Sequence, residues 1–425
     1  MKLKLNYKIR GSIMGLVLTV TMLVTVLSAF FILRANMDTQ AWLLYDNKDR
    51  LLNNANSGLE LLLSGNNLVE PGSSTTLDLF EEGNDSVCLE RKPWGAFEIV
   101  ISKAFMGKHS ISKKAMLGAK PQDTLPLTLY VCDLQKPLSV CGNTRLVGKC
   151  YVSQAGFKRA YIEGQNYSGN KYVYGTQLAS KRDLPELNKS MVKFIEDQLK
   201  KPVQVTDSVI QFNQVGDTLI NPFDKKTIVI ESPVVLRMQN CVLMGNIKLV
   251  APEIHIGNSC IIENAIIITH KLTVEDRFSG DFQVLASERV FIGKEVKLNY
   301  PTVVTVFPKP EMNANEPHIY FGEKTEVTGD VLCYTNTGQE STEPYISFDK
   351  ESTVYGNVYV NGKLDAKGKI YGSTYCVRFY LKTNSGVYEN HLLNAEFDAS
   401  KLPGYYMGVP LLKEGSRKEV MQWLY

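Results

Sequence analysis

The sequence lacks the usual marks of catalysis. It holds no G-x-S-x-G elbow, no H-E-x-x-H pair and no phosphate-binding P-loop, which removes the commonest serine-hydrolase, zinc-protease and nucleotide-hydrolysing sites. Histidine is scarce: 5 residues in 425, at positions 109, 255, 270, 318 and 391, none near another in sequence. His255 alternates with apolar neighbours in Ile254-His255-Ile256, the pattern of an outward residue on a strand. His270 is expected to stack near it, a metal idea too thin to define a site. No two of the 8 Cys are spaced CxxC, so zinc-ribbon and thioredoxin-like chemistry fall away. Charge of one sign is also missing. The formal net charge is only +3, with Lys and Arg scattered, which removes the electrostatic footprint of a nucleic-acid binder. No catalytic, cofactor-binding or metal-binding residue is assigned, no cofactor is expected, and the chain is expected not to be an enzyme.

What is present begins with a long apolar run. Residues 11–33 carry no charge, and at 1.5 Å per residue a helix of that length covers about 34 Å, enough for the hydrocarbon layer. A cleaved signal peptide has a shorter apolar core followed by a small-residue cleavage site, whereas Ser28-Ala29 runs on into Phe30-Phe31-Ile32-Leu33. A retained anchor is the expectation. Lys2, Lys4, Lys8 and Arg10 precede the run, while Arg34, Lys48 and Arg50 beyond it are diluted by Asp38, Asp46 and Asp49. By the positive-inside rule, residues 1–10 stay in the cytoplasm and the rest is exported across the inner membrane. Residues 34–65 continue as an amphipathic helix, with Leu44, Leu51, Leu52, Ala55, Leu59, Leu62 and Leu63 on one face and Gly65 as its stop.

From residue 70 the language changes to strands: short runs of Val, Ile, Tyr and Phe punctuated by Gly, Asn, Asp and Pro. One interruption, residues 183–200, reads as an amphipathic helix with Asp183 as N-cap and Pro185 in the first turn. Repeats then dominate. An apolar-x-Gly-x-apolar-x-apolar motif occurs at Leu146-x-Gly148, Val327-x-Gly329, Val354-x-Gly356 and Ile370-x-Gly372. A second series pairs Ile228/Ile230 with Ile247/Leu249 and Ile266/Ile268. Between these run Val234/Leu236, Ile254/Ile256, Leu272/Val274 and Val290/Ile292. Equivalents lie 18 to 20 residues apart, and Ala251 to Gly257 resembles Ala286 to Gly293 at about twice that distance. This is the period of a solenoid coil whose inner face is buried only by stacking on its neighbours.

The expected fold is mainly β: a right-handed parallel β-helix preceded by a transmembrane helix with an amphipathic extension. The organisation is 1–10 tail, 11–33 span, 34–65 helix, 70–202 β-rich region with a first coil, 203–380 β-helix and 381–425 C-terminal cap, with a short helix over 414–425. Most Cys sit in apolar β-like runs, as in Lys149-Cys150-Tyr151-Val152, and read as buried thiols, with disulfides open if the body is exported.

Two resemblances rest on these residues. The repeats over 203–376, with the outlier at Leu146, resemble bactofilin-type polymer-forming domains through the Gly-x-Val-x-Val coil motif. That likeness implies a β-helix able to assemble end to end. Residues 1–65 resemble the N-terminus of atypical minor pilins and pseudopilins: a basic leader, the Arg10-Gly11 junction, a long apolar helix and an amphipathic continuation. The departure is the missing glutamate, since cleavage after Gly11 places Leu16 at the fifth mature position, where major pilins carry Glu. As a whole the chain is similar to membrane-anchored bacterial β-helix proteins. The resemblances imply a structural or assembly role beside envelope or pilus-like proteins, with self-assembly included. The competing expectation is a carbohydrate-active or carbohydrate-binding surface protein. An enzyme of that kind places paired carboxylates on neighbouring coils, whereas Glu253, Glu263, Glu275, Asp276, Asp281 and Glu288 do not recur as a group. Tyr151, Tyr161, Tyr167, Tyr172 and Tyr174 offer rings for polysaccharide contact.

Overall fold

The computed structural model describes residues 12–64, 68–81, 83, 85–121, 127–212, 216–309, 315–336, 343–412 and 416–424. The expected tail 1–10, Gly11 and the stop at Gly65 lie outside the described residues. The chain divides into two compact units.

The first unit gathers the N-terminal helix through Leu62 with residues 74–89 and 101–113. One uninterrupted helix spans Ser12–Leu63, so the expected span and its extension are a single element. Its N-terminal part is exposed on every side. Its C-terminal part packs on strands: Leu51, Ala55, Leu59 and Leu62 are buried, as are Val87, Leu89 and Ala104. Gly58 sets the approach, because a Cβ there would lie 2.4 Å from Ser102 Oγ and 2.7 Å from Leu89 Cδ2. The expected apolar face holds from Leu51 onward, but Leu44 is 55% exposed: it precedes the stretch that meets the sheet. A polar latch closes the packing. The buried Asp85 carboxylate accepts from Arg50 Nε at 2.6 Å and Asn54 Nδ2 at 2.8 Å.

The second unit holds residues 63–73, 90–100 and 114–425 and is built on a large parallel sheet. One row of partners runs Ile230, Leu249, Ile267, Val284, Val304, Val331, Val358, Thr374, Leu129, Cys150 and Gln177. A second runs Leu236, Ile254, Leu272, Val290, Ile319, Ile346, Leu364 and Phe379. A third runs Gly280, Leu298, Val327, Val354, Ile370, Phe397, Leu146 and Val173. Most of these side chains belong to one continuous buried core.

Glycines let the rows close. A Cβ on Gly329 would lie 1.9 Å from the Thr302 carbonyl oxygen, and one on Gly372 would lie 2.0 Å from that of Gly356. The Gly motif marks positions where one backbone passes directly over the next.

Four expectations are corrected. First, the pairing is Lys248↔Ile266 and Leu249↔Ile267, so Ala265 and Ile267 continue the core row of Ile247 and Leu249, while Ile266 and Ile268 face the other way. Residues 265–268 are apolar throughout, and a strand buried on both faces loses the alternation that would fix its register. The second face is also covered: the helix Lys189–Lys200 packs against strands Ala265–Val274 and Phe282–Ile292. In the neighbouring row Leu236/Met238, not Val234/Leu236, partner Ile254/Ile256. Second, that helix starts later than expected. Asn188 caps it, its Oδ1 accepting from the Ser190 and Met191 amides; residues 183–187 run outside it, the Asp183 carbonyl accepting from Tyr130 Oη.

Third, Ser416–Trp423, expected as helix, is a strand antiparallel to His109–Pro121 along residues 115–121. Lys, Glu and Met favour a helix locally, but an available strand edge overrides propensity. Fourth, chain order is not row order. The Leu146 coil lies beyond the late strands: Glu396–Asp398 pairs with Lys369–Tyr371 on one side and with Arg145–Val152 on the other. This part of the expected 381–425 cap therefore sits inside the sheet. Among the described residues two strands each have one parallel partner, Ser208–Gln211 with Ile228–Glu231 and Val173–Ala179 with Arg145–Val152, and these two stand as the ends. Both end strands are largely exposed.

Candidate functional site

The sequence offers four places for function: the apolar helix, the histidines, the outward carboxylates and the aromatic stretch. The helix is long and apolar enough to cross a membrane by length and composition. From Ile13 to Leu33 its large side chains are exposed, Met14 at 73% and Phe31 at 66%. Three threonine hydroxyls in this stretch are satisfied within it. Thr19, Thr21 and Thr25 donate their hydroxyls to the carbonyls of Leu16, Leu18 and Met22, which removes the cost of carrying an unpaired hydroxyl into hydrocarbon. The first ion pair on the helix, Arg34 with Asp38 at 3.4 Å, marks where the apolar stretch ends.

The histidines do not form a site. His255 Nε2 lies 2.7 Å from Glu253 Oε1 on its own strand, and its sheet partners are Arg237 and Thr273. His270 is not stacked on it as expected. It occupies an irregularity in the ladder between Thr269 and Lys271, with Nδ1 2.6 Å from Ser287 Oγ. That pair borders a cavity of about 290 Å³ lined also by Leu199, Pro202, Ile268 and Thr269. A serine beside a histidine suggests acyl chemistry, but among the described residues no carboxylate hydrogen-bonds His270, so the imidazole lacks the orienting partner a triad needs. His318 is buried, and burial lowers its pKa to about 4 with Arg289 and Lys363 nearby; it stays neutral and accepts from the Tyr345 amide at 3.1 Å. Among the described residues no three His, Cys, Asp or Glu side chains gather as metal ligands.

Of the expected outward carboxylates, Glu253 pairs with His255 and Glu288 with Lys271 and Lys309, while Asp281 and Asp276 serve turns. Asp281 Oδ1 accepts from the Asn264 amide at 2.6 Å and Asp276 Oδ1 from the Lys294 amide at 2.7 Å. Asp330, which sequence patterning passed over, is fully buried and holds a loop: it accepts from Tyr406 Oη at 2.6 Å and from the Val409 and Asn357 amides.

The aromatic residues mostly stack on protein. Tyr167 and Tyr172 stack at 5.7 Å, and Phe157 continues the stack at 5.3 Å from Tyr172. Tyr151 joins a ladder with Tyr130, Tyr375 and Tyr359, centroids 5.4 to 6.4 Å apart. The Tyr130 and Tyr359 hydroxyls donate to the Asp183 and Pro185 carbonyls, so the segment before the short helix lies over this ladder. Tyr174 takes the Arg145 guanidinium on its face at 5.4 Å. Tyr161 remains open, 67% exposed. Tyr174 is 42% exposed with Arg145 on its face, so among the described residues of this stretch the open rings do not line up as the strip that sugar stacking requires.

No protein-family model and no curated protein matches the chain. One solved structure is similar: the competence-associated pilin ComZ from Thermus thermophilus, at 11% identity and a TM-score of 0.21, covering 85% of this chain and 89% of that one. At that score the likeness carries no argument.

The arrangement thus offers an apolar exposed helix packed on strands from Leu51 onward, and a strand-built body with two exposed end strands. Asp276, Asp281 and Asp330 are engaged in holding turns and loops.

Proposed function

We propose that the chain is a membrane-anchored, exported structural or assembly protein of a pilus-like or secretion-associated apparatus, and that it works by shape rather than turnover. Its body is read as a right-handed parallel β-helix, each row of partners being one face of successive coils. The observation that carries the reading is the division of one helix. Its residues 13–33 are apolar and exposed, while Leu51, Ala55, Leu59 and Leu62 are buried against strands. An apolar helix clamped only at one end suits insertion first into a bilayer and then among like helices of an assembly. The positive leader places residues 1–10 in the cytoplasm and the body beyond the inner membrane. The exposed end strands Ser208–Gln211 and Val173–Ala179 support contacts with envelope partners or further copies.

The test is a photocrosslinking residue at Val24 in living cells, with a reporter active only outside the cytoplasm fused after Tyr425. The expected result is an active reporter and a crosslinked adduct with another single-pass helical subunit. An inactive reporter would overturn the export reading. Adducts with lipid alone would overturn the assembly reading. Alanine at His255, His270, Glu253 or Glu288, taken singly, is expected to leave cellular function intact; a folded, correctly placed variant without function would replace the scaffold reading with an enzyme or receptor.

A further inference from the structure

Two of the eight cysteines meet. Cys241 and Cys260 stand at equivalent corners before strands Val242–Gly245 and Ile261–Glu263, which pair in parallel register as Val242↔Ile261 and Leu243↔Ile262. The Cys241 thiol donates to Cys260 Sγ at 3.1 Å. The corners are locked together around them: the Ile261 amide donates to the Cys241 carbonyl at 2.8 Å, and the Asn240 amide to Ser259 Oγ at 2.9 Å.

We propose that Cys241 and Cys260 are a disulfide site, closed when the body reaches an oxidising compartment. Neighbouring strands lie about 4.8 Å apart, inside the Cα separation of about 4.4–6.8 Å that a disulfide accepts. The sulfurs must approach from 3.1 Å to about 2.05 Å, a movement rotation about χ1 can supply. Both side chains are buried, Cys241 at 8% and Cys260 at 2% exposure, so a local opening of the corner must admit the oxidant, and its reclosure then shields the bond from reducing thiols. The other buried thiols are different: burial pushes Cys132 and Cys150 up to about 12, and no thiol–thiol hydrogen bond is found for them among the described residues. The hydrogen bond from Cys241 favours the Cys260 thiolate, with burial opposing it. Either thiol can lead with the same bond as product; with Cys260 leading, the exchange runs in two steps.

The oxidant is a small or protein-borne disulfide. The Cys260 thiolate attacks one of its sulfurs, a mixed disulfide forms and one thiolate leaves. Cys241, losing its proton to solvent, then attacks Cys260 Sγ and expels the second thiolate. Two thiols of the chain are oxidised by two electrons and one external disulfide is reduced to two thiols. The product fastens two adjacent strands by a covalent loop of 19 residues' separation, close to the end of the sheet at Ser208–Gln211. This rests on the export reading for its occurrence in cells, not for its geometry.

The experiment uses the full chain in detergent, incubated with oxidised glutathione, then denatured and alkylated without reduction. Intact mass should show six alkyl groups where the fully reduced chain takes eight, and peptide mapping should join the Cys241 and Cys260 peptides. Cys241→Ser and Cys260→Ser should each take seven. Eight groups on the oxidised wild type, or a bond between other cysteines, overturn the proposal. Trapping the thiols directly in cells separates the two ideas. Six groups there support both. Six in vitro with eight in cells keep the site and overturn the export reading.

Discussion

Replacing Gly372 by Ala probes the row that the Gly motif builds. The new Cβ would sit 2.0 Å from the Gly356 carbonyl oxygen and 2.7 Å from its carbon, against an ordinary carbon–oxygen contact of about 3.3 Å. The obstacle is backbone, so no side chain can swing aside, and the two strands must separate by about 1 Å. The ladder bonds on either side are Gly356 N–H to Tyr371 O at 3.1 Å and Val358 N–H to Ser373 O at 2.9 Å. An extra ångström takes both past the limit of useful bonding. A buried amide left unmade costs about 1–3 kcal/mol, so a loss of about 3 kcal/mol is expected. For a body of this size that lowers Tm by about 4 °C. Gly404→Ala is the control, since no atom lies within 4 Å of its built Cβ. Thermal melts of the full chain in detergent, followed by far-ultraviolet circular dichroism, give the comparison. A Gly372→Ala melt within 1 °C of the wild type, or an equal fall in Gly404→Ala, would refute the close approach of these strands.

The register and the polar groups give three further predictions. Ile267→Asp places a charge between Leu249 and Val284 in the core row and should unfold the body, whereas Ile261→Asp at a 48% exposed site should be tolerated; limited proteolysis distinguishes them. Arg50→Ala removes the guanidinium from the buried Asp85 carboxylate and should cost about 1–3 kcal/mol in denaturant unfolding, partly recovered by the double change Arg50→Met with Asp85→Leu. Burial pushes Asp281 up to about 6, the Asn264 amide opposing and Glu263 adding. The folded chain then holds its proton more tightly than the unfolded one, so this contribution is full below about pH 4 and is lost as pH rises through about 6, worth up to about 3 kcal/mol. The unfolding midpoint should rise on going from pH 7.5 to pH 5, and Asp281→Asn should flatten that rise; an unchanged slope would remove Asp281 as its source.

The sequence alone determined the features that depend on short windows. An uncharged run over 11–33 is apolar wherever it folds, and the leucine and alanine spacing from Leu51 to Leu62 already marked the helix face that the strands cover. The period of 16 to 20 residues and the Gly-x-Val-x-Val motif announced parallel rows with tight backbone crossings, because a repeated inner face needs a neighbour to bury it. Register escaped it at 265–268, where apolar residues on both faces erase the alternation. The identity of Ser416–Trp423 escaped it because a strand edge far away in sequence outweighs local helix preference. Tertiary structure also decided what sits beside what. The coil at Leu146 follows Phe397 in the row, although the chain makes it first, since parallel pairing joins whichever edges are open rather than those adjacent in sequence. The same register brought Cys241 onto Cys260: their separation was legible as one repeat, but only the shared corner geometry turned that separation into contact.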